Sequence, residues 1–359
     1  MSVGIFLTLI LIIFYSIMYY EKSIKSKKRQ ITDNQLEKSK AAVEEQDTNI
    51  MDDSYFYPQG YLEKENQLSD GEDYIKQFNL KSRLVVKGCA IGDAAGRTHE
   101  SISPTFCREE VNANNLYNEA TDCTDDTILT CATLESILVA KDSSYPFFYK
   151  NYARTWPMGG YGYRFINWVN GGVNPESCGN GAAMRVSPCG CFKKVEDVVK
   201  YARKSAECTH SHPEGVKGAI VTAVCIWMAF NRYTKREIGE YCHNYYPDSK
   251  YSPLISYNKI YSYKNVIGNP ALCQVTVPMT VNCFVHSEDF DDCILKAIHM
   301  GWDTDTQAAI AGTIAAAYYG NDTFSCKSNE VWENLKNLPY IVQAFSFLDL
   351  HMDKLQQNN

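Results

Sequence analysis

Apolar residues along most of this chain recur three and four positions apart rather than in alternation, which predicts helices and no strand series. In the stretch TILTCATLESILVA, residues 127–140, Ile128, Leu129, Ala132, Ile137 and Leu138 fall on one broad face, behind acids that suit the positive end of a helix. Residues 216–230 (VKGAIVTAVCIWMAF) predict a buried helix. Residues 307–319 (QAAIAGTIAAAYY) predict another, whose Ala and Gly content permits close helix approach, with Gly320 and Asn321 as a stop. The expected fold class is all-α.

The pattern changes at both ends. Residues 4–20 (GIFLTLILIIFYSIMYY) carry no charge and approach the ~17–25 residues that span a bilayer as a helix. Lys22, Lys25, Lys27, Lys28 and Arg29 follow at once. Basic flanks stay on the cytoplasmic side, so residues 1–29 are expected to be a single-pass signal-anchor that leaves the rest of the chain facing the cytosol. A cleaved signal peptide, the rival reading, places its positive charge before the apolar run and a small-residue cleavage site after it. A glycan on the sequon Asn321-Asp322-Thr323 would contradict the cytosolic orientation. Residues 30–73 are polar, with too few apolar side chains to offset the entropy of ordering, and are expected to form a largely disordered linker. Its Tyr55, Phe56 and Tyr57 are assigned no function. The folded domain is expected at 74–352, with a polar tail at 353–359.

Composition narrows the classes. A net charge of −7 leaves no basic surface to neutralise a phosphate backbone, so direct nucleic-acid binding is not expected. The 14 cysteines are scattered singly, and the close pair Cys189 and Cys191 lacks zinc or redox spacing. They read as buried free thiols in a reducing compartment.

Five local signals carry chemistry. Thr124, Asp125, Asp126 and Thr127 stand just ahead of one apolar helix, and Asp303, Thr304, Asp305 and Thr306 just ahead of another. Either cluster alone reads equally as a helix cap. Together they bring four carboxylates into one fold, which repel unless cations lie between them, and such hard oxygen donors select Mg2+, Ca2+ or Mn2+ over zinc. GCAIGDAAGRTHE, residues 88–100, reads by itself as a tight helix crossing that brings Asp93 and Glu100 near the start of the domain. Successive glycines in SCGNGAAMR, residues 177–185, expose backbone N–H groups suited to a diphosphate. The fifth signal is Thr209, His210, Ser211, His212, Pro213 and Glu214. No third nitrogen or sulfur ligand at zinc spacing accompanies its histidine pair, which as commonly serves hydrogen bonding.

The order of these blocks (GDAAG with Glu100, CTDDT, GYG at Tyr161, CGNGAAMRV, THSHPEGVKGA, WDTDT) resembles the ADP-ribosylglycohydrolase family, which includes the dinitrogenase reductase-activating glycohydrolases. The resemblance covers roughly residues 84–320. It implies an orthogonal multi-helix bundle with two Mg2+ ions, for which Mn2+ can substitute, at the base of a cleft. By position, Thr124, Asp125, Asp126, Asp303, Asp305 and Thr306 would be metal ligands and Glu100 a metal-linked carboxylate near the reacting sugar. Catalytic work would fall to Glu100, Asp125 and Asp126, with the roles of acid, base and ligand left shared. Ser177, Cys178, Gly179, Asn180, Gly181 and His210 would hold ADP-ribose, and Gly160, Tyr161 and Gly162 would wall the cleft. The implied activity is Mg2+-dependent hydrolysis at the anomeric carbon of the distal ribose, releasing ADP-ribose from a modified protein or a small conjugate. A catalytically silent ADP-ribose binder or a structural protein on the same fold is the alternative. Two residues depart from the family pattern: Trp302, where many members have glycine, and Cys178, where relatives often place tyrosine.

Overall fold

A computed structural model describes residues 52–62, 72–118, 120–140 and 145–357. The chain folds as α1 (Glu72–Arg97), α2 (Pro104–Glu110), α3 (Asp125–Ala140), α4 (Tyr145–Thr155), α5 (Tyr163–Val169), α6 (Gly181–Met184), α7 (Val195–Glu207) and α8 (Pro213–Phe230). There follow α9 (Lys235–Tyr245), α10 (Tyr257–Tyr261), α11 (Cys273–Val285), α12 (Phe290–Ile298), α13 (Thr304–Tyr319), α14 (Cys326–Leu335) and α15 (Pro339–Gln357). Among the described residues no strand forms, and an isolated bridge pairs Gly179 with Leu272. The all-α expectation agrees with this architecture. α15 continues to Gln357, through most of the stretch expected as a polar tail.

Glycines four apart on α1 lie on one stripe, and that stripe meets α13 running antiparallel. A Cβ at Gly92 would overlap the Ala308 carbonyl and one at Gly96 the Thr304 carbonyl, so the two backbones touch with no side chain between them. The Thr304 hydroxyl donates to the Gly96 carbonyl at 2.7 Å and seals the crossing at the end where the acids lie. This is the close approach for which glycine is needed.

α8 is the described helix long and apolar enough to cross a membrane, yet it lies mostly buried in the domain. Its neighbours α7, α9, α11 and α13 cover it, and Trp227, fully buried, sends its indole N–H to the Lys193 carbonyl at 3.0 Å. α7 shows how these neighbours are patterned: Val195, Val198, Val199, Ala202 and Ala206 face the core while Lys200 is exposed. The cysteines are free thiols, buried except for Cys178, Cys208 and Cys326.

The linker expectation is corrected at residues 52–62, which are held against α7 and α9. Asp53–Phe56 forms a 3-10 turn whose Asp53 carboxylate accepts from Arg203 Nε at 2.9 Å and Nη2 at 2.7 Å. Phe56 is only 3% exposed and stacks on Tyr245, and the Tyr241 and Tyr245 hydroxyls donate to the carbonyls of Phe56 and Tyr55. The aromatic triplet supplies the apolar surface that the rest of the segment lacks, and the tyrosines of α9 receive it. The anchor proposed at residues 4–20 and the remainder of the linker up to residue 51 lie outside the described residues.

Candidate functional site

Asp93 follows Gly92 on α1 and is fully buried at the crossing. Its carboxylate accepts the backbone N–H groups of Thr124 at 2.9 Å and Thr127 at 3.1 Å, and the Thr127 hydroxyl at 2.6 Å. Asp93 therefore caps α3 from another helix, satisfying amides that would otherwise be orphaned at the helix start. Asp125 and Asp126, in the first turn of α3, are released from that duty. The same holds across the cleft: Asp303 occupies the N-cap position of α13 but makes no side-chain cap bond, and instead accepts from Asn180 Nδ2 at 2.6 Å. The helix-cap reading accounts for part of the two clusters only: Thr124 Oγ1 accepts from Asp126 N at 3.4 Å and Asp305 Oδ1 from Thr306 N at 2.9 Å, while the carboxylates of Asp126 and Asp303 are turned to other partners.

The two helix starts meet at Asp126. The Thr124 hydroxyl lies 2.9 Å from Asp93 Oδ1 and 3.1 Å from Asp126 Oδ2, and the Thr306 hydroxyl reaches the same Oδ2 at 3.4 Å. Asp126 Oδ1 is buried without a hydrogen-bond partner. A buried carboxylate oxygen left bare is costly unless a cation or proton covers it. Protons are accordingly held tightly here: burial first, then Asp93 and Asp303, push Asp125 up to about 8. Burial and neighbouring acids, Asp305 foremost for Asp126 and Asp303 for Asp305, push those two well above the usual carboxylate range. Burial raises Asp93 to about 6 despite its hydrogen bonds, raises Asp303, and with Asp303 raises Glu100. Among the described residues no three acid, histidine or cysteine side chains already close around one point. The donor set is mixed carboxylate and hydroxyl, which suits a hard divalent cation that retains several waters, and the bare oxygen of Asp126 gives it a place to bind.

Above the acids opens a cleft of about 630 Å³. Asp125, Asp126, Asp303, Asp305 and Thr306 form its floor, and Glu100 stands exposed at its rim. Gly160, Gly162, Ser177, Gly179, Asn180, Gly181 and His210 line the walls. Three of the expected residues do not line it. Thr124 is buried beneath the floor between Asp93 and Asp126. Tyr161 turns its hydroxyl to the Trp156 carbonyl and stacks on Phe165, so it supports the wall from behind. Cys178 uses its carbonyl to accept from Cys273 N at 3.0 Å. The anion-nest expectation is also corrected in part: Gly179 N donates to Ser177 Oγ at 3.0 Å and Asn180 N to the Ala271 carbonyl at 2.9 Å, so those two amides are already used. The histidine pair divides, since His212 Nδ1 accepts from Glu214 N and caps α8 while His210 lines the cleft.

Asp93, Arg185 and Thr209 all lie inside the quoted blocks, but reading by motif assigns them no role. A single charge within an otherwise apolar run, as in GDAAG and GAAMRV, is the available signal.

Trp302 stands at the cleft rim, 37% exposed, with φ +67°. Its backbone is zipped to the loop after Glu100: Trp302 N donates to the Ile102 carbonyl at 2.7 Å and Ser101 N to the Trp302 carbonyl at 2.5 Å. The indole N–H reaches Asn265 Oδ1 at 2.9 Å. This left-handed backbone gives the physical reason for glycine at the position. Trp302→Gly is therefore expected to be more stable than Trp302→Ala by about 1 kcal/mol, read from denaturant midpoints, and equal midpoints would show the backbone to be unstrained. Tyr163, 86% exposed, also lines the cleft.

Residues 80–346 match the family described as ADP-ribosylglycohydrolase. An uncharacterized protein of Archaeoglobus fulgidus is 28% identical over 310 residues, 76% of this chain and 97% of that protein. ADP-ribosylhydrolase ARH3 of Homo sapiens is 25% identical over 67% of this chain and 85% of its own length. ADP-ribosylarginine hydrolase Tri1 of Pseudomonas putida is 25% identical over 67% and 71%. A solved structure titled ADP-ribosylglycohydrolase-related protein complex superposes with a TM-score of 0.57 at 20% identity, covering 78% of this chain and 99% of that one, a likeness of fold.

Proposed function

The chain belongs to the ADP-ribosylglycohydrolase family, and from that premise we propose that it hydrolyses the bond between the anomeric carbon of the distal ribose of ADP-ribose and a modified protein or small conjugate. The observation that carries this reading is the meeting of two acidic helix starts at Asp126, whose Oδ1 has no protein partner on the floor of the cleft. Two Mg2+ ions, or Mn2+ in their place, held by Thr124, Asp125, Asp126, Asp303, Asp305, Thr306 and Glu100, would grip ribose hydroxyls and polarise a water. Glu100, the carboxylate of the set on the exposed rim, takes a proton from that water as its oxygen bonds to the anomeric carbon. The bond to the leaving atom breaks with its electron pair on that atom, which ends with the proton that Glu100 removed from the water, so one water is consumed and Glu100 is regenerated. The acids of the floor stabilise the oxocarbenium character in between. His210 and the Ser177 to Gly181 turn orient the diphosphate from the wall, which holds the sugar over the floor.

Incubation with arginine-linked and serine-linked ADP-ribosyl protein tests the proposal. Release of free ADP-ribose is expected with Mg2+ and not with chelator; binding without release on both linkages would make the protein a reader. The membrane anchor at residues 4–20 and the cytosolic orientation remain proposals that rest on the hydrophobic run and its basic flank.

A further inference from the structure

At the back of the cleft, which it and Thr209 help to line, Arg185 is a fully buried cation whose charge reaches Asp125 but which hydrogen-bonds to neutral groups. Its guanidinium lies 4.2 Å from the centre of the Tyr149 ring and 5.9 Å from that of Phe165, and Nη2 donates to the Ser205 carbonyl at 3.2 Å and to Thr209 Oγ1 at 2.6 Å. Thr209 Oγ1 in turn lies 2.7 Å from His210 Nδ1. We infer that Arg185 and Thr209 form a buried relay that sets the tautomer of His210, leaving its Nε2–H as a fixed donor for an anionic oxygen in the cleft.

The direction of each bond follows from the donor inventory. A guanidinium only donates, so Thr209 Oγ1 accepts from Arg185. The hydroxyl proton must then go elsewhere, and the ring nitrogen at 2.7 Å is its acceptor; the neighbouring Cys208 thiol is a weak one whose own proton points to the Ser205 carbonyl. Nδ1 therefore carries no proton, and the proton of the neutral ring sits on Nε2. That nitrogen faces the glycine turn: a Cβ at Gly181 would stand 3.1 Å from Nε2 and one at Gly179 3.7 Å away, so the two glycines keep it uncovered. No described residue accepts from Nε2. Burial, and then the Arg185 charge, hold the ring well below its usual pKa, so it remains a donor without becoming a cation. Arg185 and Thr209 are thus positioning residues for ligand binding.

The ligand part of this inference rests on the proposed function and takes the diphosphate of ADP-ribose as the acceptor; the tautomer does not. Two-bond proton–nitrogen NMR on the full-length protein, with His210 assigned by loss of its signals in His210→Gln, is expected to show the Nε2–H form between about pH 5 and 8. Thr209→Val cuts the relay at constant shape and is expected to mix the tautomers and weaken ADP-ribose binding about tenfold, with kcat changed much less. Thr209→Ser should restore both. An Nδ1–H form in the wild type, or a Thr209→Val protein with an unchanged ring signature, overturns the relay, and the wild-type spectrum decides alone should that variant not fold. The expected tautomer with no ADP-ribose binding would uphold the relay and sink the proposed function.

Discussion

Asp126→Asn is expected to lower turnover roughly a hundredfold to a thousandfold or more while the fold stands, and in chelator it should melt higher than the wild type. The two effects share one cause. Asparagine keeps an oxygen for the hydroxyls of Thr124 and Thr306, so local packing survives, but it presents an amide donor where Asp126 Oδ1 lies bare. A cation cannot coordinate there. The substitution also removes one charge from a cluster in which burial and neighbouring acids hold Asp126 well above its ordinary value of 3.8.

The sign of the pH dependence follows. A carboxyl whose folded pKa exceeds its unfolded one binds more protons when folded, so stability falls as pH rises through the interval between the two values. For the acid cluster that interval starts near 3.8 and, for Asp125, ends at about 8. Melting curves in chelator should show the wild type losing stability across it and Asp126→Asn losing less, while added Mg2+ should flatten the wild-type curve by replacing protons with ions. Wild-type turnover in Asp126→Asn would remove the metal assignment.

Gly92→Ala is expected to destabilise the protein by about 2–4 kcal/mol and to reduce activity with it. The added methyl would fall on the Ala308 carbonyl, a backbone atom that cannot rotate aside, so α1 and α13 must part. Their parting moves Asp93, the next residue, away from the Thr124 and Thr127 amides it caps, and moves Asp305 on the facing helix. Thermal unfolding should fall by about 3–7 °C. An unchanged midpoint would mean that the crossing has room to spare, and the link between helix contact and site geometry would fail.

The acidic clusters, the apolar helices and the order of blocks were legible because each is local: the residues that signal them are neighbours in the chain. What stayed hidden depends on meetings at long range. Asp93 lies 31 positions from Thr124, and only the folded crossing shows it to be the cap that frees Asp125 and Asp126. The aromatic triplet at Tyr55 to Tyr57 looks incidental until Tyr241 and Tyr245 supply the surface that receives it. The glycines of residues 177–185 suggested free amides, but Ala271, in a distant loop, takes the amide of Asn180 between them. His210 and His212, alike in sequence, part company because one faces the cleft and the other a helix end.

The glycine crossing has a consequence for how this site can change over evolutionary time. The two acid-bearing helices touch backbone to backbone, so the separation of their acids is gauged by main-chain atoms that every amino acid shares. Core side chains elsewhere can be exchanged for others of similar volume without altering that gauge. Sequence drift is thereby uncoupled from the dimension the chemistry needs, and a handful of glycines becomes the part of the core least free to vary.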